Sequence, residues 1–158
     1  MSERKYTYLS KPRRVAEDRR FVVGKGRFVA DYEHADMAHV ALLPCHLPAA
    51  IIDNIDSSAA LALPGVIDVV TGVELAAAID PLMNGLNTPN VRRYPLAVKQ
   101  VRYAGEWICA VIAESRAVAE DALEKIRLVT PALPFVLDPE HALRADSPPV
   151  HPEHKSNV

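Results

Sequence analysis

The longest uninterrupted apolar run in this chain is Trp107-Ile108-Cys109-Ala110-Val111-Ile112-Ala113, followed at once by Glu114-Ser115 and an amphipathic stretch. The run is far short of the roughly 20 residues a membrane helix needs. An apolar segment of this length suits a central strand covered on both faces. Ser115 can cap a helix over residues 116–126. In that helix Val118, Ala119, Ala122, Leu123 and Ile126 share one face. Arg116 with Glu120, and Asp121 with Lys125, are opposite charges four apart on the wet face. A buried strand running straight into a helix is therefore the central expectation.

The remaining elements are short. Thirteen prolines punctuate the chain, which favours an α+β module over a helical bundle. Residues 1–14 read as a polar arm. Arg20-Phe21-Val22-Val23 and Phe28-Val29 flank Gly24 and Gly26, which predicts a tight turn between extended segments. Strands are expected over residues 37–43, 51–55, 66–70 and 101–103. Asp56 should cap a short helix over 57–63, with Pro64 and Gly65 forcing a sharp exit. Thr71 should cap a second helix over 73–79, with Glu74 near its positive end. Residues 80–95 hold Asn84, Gly85, Asn87, Pro89 and Asn90 and show no periodicity; a structureless loop of this length is usually functional, mobile or covered by a partner. Asp138-Pro139 predicts a capped turn of helix. An extended tail is expected from Arg144 onward.

Composition narrows the class. At 158 residues the chain suits one domain with a substantial core. A net charge of −2 and a pI near 6.3 give no footprint for nucleic acid or an anionic membrane. The polar start, Met1-Ser2-Glu3-Arg4-Lys5, lacks an apolar signal core, so a cytoplasmic location is expected. Cys45 and Cys109 are far apart, which argues against a disulfide framework or an iron–sulfur cluster on this chain.

Several constellations could carry chemistry, and each has a plainer explanation. Gly24-Lys25-Gly26-Arg27 is basic and glycine-rich but lacks the spacing of a P-loop or dinucleotide fingerprint. His151 and His154 are separated by Pro152 and Glu153, and no Cys-x-x-Cys or His-x-x-x-His pair exists to hold a metal. Cys45 and His46 are adjacent, so in a strand they would face opposite ways rather than form a nucleophile–base pair. Glu106 precedes the apolar run, where burial could raise its pKa, though a structural acceptor at a strand start is the simpler role. Lys25, Lys99, Lys125 and Lys155 lack the neighbours of a covalent carrier lysine. The expected catalytic, cofactor-binding and metal-ligating residues are therefore none.

Two stretches carry a family resemblance. The first is Ile55-Asp56-Ser57-Ser58-Ala59-Ala60-Leu61-Ala62-Leu63-Pro64-Gly65-Val66-Ile67-Asp68-Val69-Val70-Thr71-Gly72. The second runs Val101-Arg102-Tyr103-Ala104-Gly105-Glu106-Trp107 and on from Ala110 to Ala122. With Phe21 and Gly24 to Asp31 near the start and Leu133-Pro134-Phe135-Val136 near the end, they resemble the α/β-hammerhead domain of the molybdenum hydroxylases, the family of xanthine dehydrogenase, aldehyde oxidase and carbon monoxide dehydrogenase. The resemblance implies an α/β-hammerhead over residues 15–143, with short mixed strands and two or three helices packed on one side. Residues 144–158 look like the linker into a molybdenum-binding domain, and the chain ends where the resemblance places the start of the catalytic part. Two departures stand out. The family's usual arginine is missing from Leu43-Pro44-Cys45-His46-Leu47-Pro48-Ala49-Ala50, and its Gly-Glu-Pro reads Gly105-Glu106-Trp107.

The resemblance further implies a non-catalytic component of an oxidoreductase complex, packing against a separate molybdopterin-binding subunit, with iron–sulfur and flavin (FAD) chains as further partners. Its molybdopterin-molybdenum cofactor would lie on other domains. A free-standing hammerhead assembly module and a fragment of a longer large subunit are the alternatives, and an independently active enzyme is the least favoured. The 144–158 tail is expected to dock on a partner.

Overall fold

In the computed structural model, strand β6 (Trp107–Ala113) is the middle of a three-stranded antiparallel sheet, between β1 (His39–Pro44) and β4 (Val66–Thr71). The structure describes Tyr8, Pro12, Arg13, residues 15–82, residues 91–154, Ser156 and Asn157. The chain falls into two units, Met1–Ala35 and Asp36–Val158.

In the larger unit, β6 sets the register for both neighbours: Ala41 and Val69 both stand opposite Val111, and Leu42 and Val70 opposite Ala110. Alternation sends Cys109, Val111 and Ala113 to one face. There they pack with Ala41, Val69 and the buried Ala119 and Ala122 of helix α4 (Arg116–Leu123). The expected stripe holds, because Val118, Leu123 and Ile126 join the same core. Helix α2 (Ser58–Leu61) packs on β4 and α4 beside it. Ile108 points the other way and anchors a second core of Cys45, Ala50, Ala97 and Val101. That core lies among two small antiparallel ribbons, β2 (Ala50–Ile51) with β5 (Gln100–Val101), and β3 (Asn54–Asp56) with β7 (Arg127–Val129).

The caps follow sequence logic. Ser115 Oγ accepts the Val118 N–H, and Thr71 Oγ1 accepts the Glu74 N–H while Glu74 Oε2 accepts the Thr71 N–H at 2.8 Å. Thr71 thereby starts helix α3 (Gly72–Ala78). Asp56 Oδ1 accepts both the N–H and the hydroxyl of Ser58 at the head of α2, although Ser57 occupies the cap position. Gly65 leaves α2 with φ +87°, as its place after Pro64 predicts. Asp138 caps helix α5 (Pro139–Ala142).

Several expectations are corrected. Among the described residues all strand pairs are antiparallel rather than mixed. Residues 51–55 are not one strand: the chain breaks at Ile52-Asp53, and β2 and β3 pair with different partners. The strand expected over 101–103 is β5, which ends at Val101. Helix α4 ends at Leu123, so Lys125 lies beyond it and forms no ion pair with Asp121, whereas Arg116 Nε meets Glu120 Oε1 at 2.7 Å. The segment after Arg144 is not extended. It folds through successive turns, with N–H groups of Ser147 and His154 reaching the carbonyls of Arg144 and His151. Asn157 pins it by accepting the Val150 N–H and donating to the carbonyls of Ala142 and Pro148.

In the smaller unit, the segment expected as extended before Gly24 is helix α1 (Asp18–Val22). Gly24, with φ +69°, closes it: its N–H bonds Phe21 O at 3.0 Å, and Lys25 N–H bonds Arg20 O at 2.8 Å. This pair of bonds is the Schellman closure of a helix C-terminus. Most of the arm expected over 1–14, and residues 83–90 of the 80–95 loop, lie outside the described residues.

Candidate functional site

The constellations singled out by sequence have local structural roles. Gly24 terminates α1, and Gly26 passes against the Phe21 ring, where a Cβ on it would come within 2.6 Å of Phe21 Cδ1. Cys45 is buried and His46 exposed, so they diverge. The Cys45 N–H donates to Glu106 O, and its carbonyl accepts the Gly105 N–H. Glu106 Oε2 accepts the Arg102 N–H at 2.6 Å, the structural role that suited it best. Cys109 lies fully buried in β6, and burial pushes its thiol pKa up to about 11. It is an apolar core group rather than a nucleophile. Lys155 lies outside the described residues.

His151 and His154 meet edge to face, with ring centroids 6.1 Å apart. His151 Nδ1 is 3.5 Å from Glu153 Oε1 without making a hydrogen bond. Burial and the nearby Arg102 cation hold the His151 pKa below the ordinary histidine value, outweighing Glu153. Among the described residues, no group of three or more His, Cys, Asp and Glu side chains could hold a metal ion. The two cysteines sit in different cores. These donors do not fit an iron–sulfur cluster or a protein-ligated metal.

Two surfaces remain. The first is the face of the large sheet turned away from α4. Register places Val40, Ile112 and Asp68 in one row across the three strands, and Leu42, Ala110 and Val70 in the next. The second core covers this face only at the Ile108 end. Val40 is 60% exposed, and Leu42, Val70, Ala110 and Ile112 are half-buried. A solvated sheet face normally alternates to polar side chains; here Asp68 is the sole charge in these two rows.

The second surface is a cleft of about 780 Å³. Arg92, Arg93, Lys99 and Arg102 line it together with Glu106 and Glu153. One wall comes from the chain leading into β5 and β6, the other from the turns after Val150. Arg102 Nε is buried without a hydrogen-bond partner, and Nη1 reaches Gln100 O only at 3.5 Å. The sequence reading missed this cleft because its walls are some fifty residues apart. One signal was available: no Asp or Glu occurs from residue 81 to residue 105, while four cations do.

Comparison with known proteins places this architecture. Residues 23–131 match the family model for the a/b hammerhead domain of aldehyde oxidase and xanthine dehydrogenase. The chain therefore belongs to the molybdenum hydroxylase family that includes those enzymes, as its hammerhead domain. It is 35% identical over 139 residues to the carbon monoxide dehydrogenase large chain of Hydrogenophaga pseudoflava, covering 87% of this chain and 17% of that protein. It is 33% identical over 145 residues to the nicotine 6-hydroxylase large subunit of Paenarthrobacter nicotinovorans, covering 90% and 18%. The crystal structure of quinoline 2-oxidoreductase from Pseudomonas putida 86 superposes with a TM-score of 0.77 at 35% identity, covering 84% of this chain and 17% of that one. The chain thus spans under a fifth of the length of these relatives. No helix among the described residues is long and apolar enough to cross a membrane.

Proposed function

We propose that this chain is a structural, non-catalytic component of a molybdenum hydroxylase, packing against a separate molybdopterin-binding chain. In this reading the molybdopterin-molybdenum cofactor lies on that chain, and iron–sulfur clusters and FAD lie on further partner chains or domains. A cytoplasmic location belongs to the same proposal. The observation that carries it is the apolar sheet face of Val40, Leu42, Val70, Ala110 and Ile112. A fold that buries one sheet face under α4 and leaves the other apolar is suited to docking. The matched relatives, about five times the length of this chain, are named as large chains or subunits, which supports a partner of that kind.

The test is affinity purification of the tagged chain from its native cell, with subunit masses and molybdenum and iron content measured. Co-purification with a larger molybdenum-containing chain is expected. A Val40→Asp variant, altered at an exposed position, should lose that partner while keeping the thermal midpoint of the isolated domain. A lone metal-free 17.3 kDa species would overturn the proposal and favour a free-standing assembly module or a fragment.

A further inference from the structure

We infer that the basic cleft is a second docking site, which receives an acidic polypeptide segment of the partner chain. The inference rests on the assembly proposed above but uses a different surface. Arg92, Arg93, Lys99 and Arg102 line a cleft whose only carboxylates among the described residues are Glu106 and Glu153, a net charge of +2 on a chain whose total is −2. Of those carboxylates, Glu106 is already engaged by the Arg102 backbone N–H.

The arrangement suits an extended acidic segment better than a compact phosphate. The four cations fall along residues 92–102 and share the cleft with Glu106 and Glu153, so a single dianion there would meet carboxylates as well as cations. A segment carrying several carboxylates can match each cation separately. Tyr94 and Tyr103 also line the cleft, and Tyr103 is 61% exposed. Tyrosine and arginine are the residue types that carry binding energy at protein interfaces.

The experiment titrates the full chain with a short oligoglutamate peptide, an oligoglutamine peptide of equal length, and inorganic phosphate and pyrophosphate. The chain's one tryptophan, Trp107, is a built-in reporter: it follows Glu106, and its carbonyl accepts the Ala97 N–H at 2.7 Å in the cleft wall. Saturable binding of oligoglutamate alone is expected, weakening as added salt shortens the screening length. The Arg93→Glu/Lys99→Glu double variant should bind oligoglutamate at least about tenfold more weakly, and the Arg93→Gln/Lys99→Gln variant should fall between. Both variants should keep the wild-type thermal midpoint. Unchanged affinity in the charge-reversed variant, or pyrophosphate binding as tightly as the peptide, would overturn the inference. Co-purification separates it from the reading it rests on. If the wild-type chain recruits a large partner and the charge-reversed variant recruits it equally well, the cleft is not a docking site and the assembly stands. If the wild-type chain recruits none, the assembly reading falls, and the docking inference falls with it.

Discussion

Replacing Ile108 with alanine tests whether the second core stabilises the fold. Ile108 is fully buried and is the largest such side chain among the described residues. The substitution removes three carbon atoms. At about 0.8 kcal/mol per buried methylene, the transfer loss is about 2.4 kcal/mol. Cys45, Ala50, Ala97 and Val101 surround the site and belong to two strands and two loops, so they cannot all close in on the void. The cavity contribution should bring the total to about 3–4 kcal/mol, within the range of about 2–5 kcal/mol for Ile→Ala in cores. The control is Val40→Ala, at a 60% exposed position, which should cost within about 0.5 kcal/mol. Urea unfolding of the full chain, followed by Trp107 fluorescence and by circular dichroism, measures both. The midpoint should fall while the slope holds. A loss below about 1 kcal/mol for Ile108→Ala, or equal losses for the two variants, would refute the reasoning.

Other consequences can be measured as directly. A Cβ at Gly72 would overlap the Ala97 carbonyl, so Gly72→Ala should destabilise by at least about 1–3 kcal/mol, seen as a lower urea midpoint. Thr71→Ala removes the α3 cap and should cost about 1 kcal/mol. The Thr71 backbone and side-chain hydrogen bonds hold the Glu74 pKa below its ordinary value. That stabilisation is present above the unfolded Glu pKa and is lost as pH falls through the lower folded value. The stability difference between wild type and Thr71→Ala should therefore shrink on acidification, and a constant difference would contradict the assigned bond. With its pKa raised to about 11 by burial, Cys109 should resist iodoacetamide at neutral pH in the folded chain and react after unfolding; mass spectrometry reads the adduct.

Where one residue type decides local geometry, the sequence was legible. Ser115 and Thr71 announced their helices, because a hydroxyl one residue before an amphipathic stretch has few other uses there. Trp107–Ala113 announced the central strand, because a seven-residue apolar run is too short to be a buried helix of ordinary length. Arg20 to Val23 misled, because β-branched pairs favour strands while the controlling features were the acidic Asp18 in the first turn and Gly24 at the exit. The break at Ile52-Asp53 was hidden because Ile51, Ile52 and Ile55 look like one strand, and only tertiary pairing gives β2 to β5 and β3 to β7. Of the two surfaces, the apolar face was half legible: the Trp107 run implied two covered faces, but no local pattern shows that one stays open. The cleft depends on residues 92–106 meeting residues 150–153, a distance no periodicity reports.

The two cores share their scaffold. Strand β6 gives Cys109, Val111 and Ala113 to one and Ile108 to the other, and Ile55 packs against both. Neither cluster can lose its order without stripping cover from the strand that the other depends on. The Asp36–Val158 unit should therefore melt in a single step, with the β6 amides the last to exchange with solvent. Damage to either end of β6 would then lower the survival of the whole unit, so a partner gripping one end would protect the other.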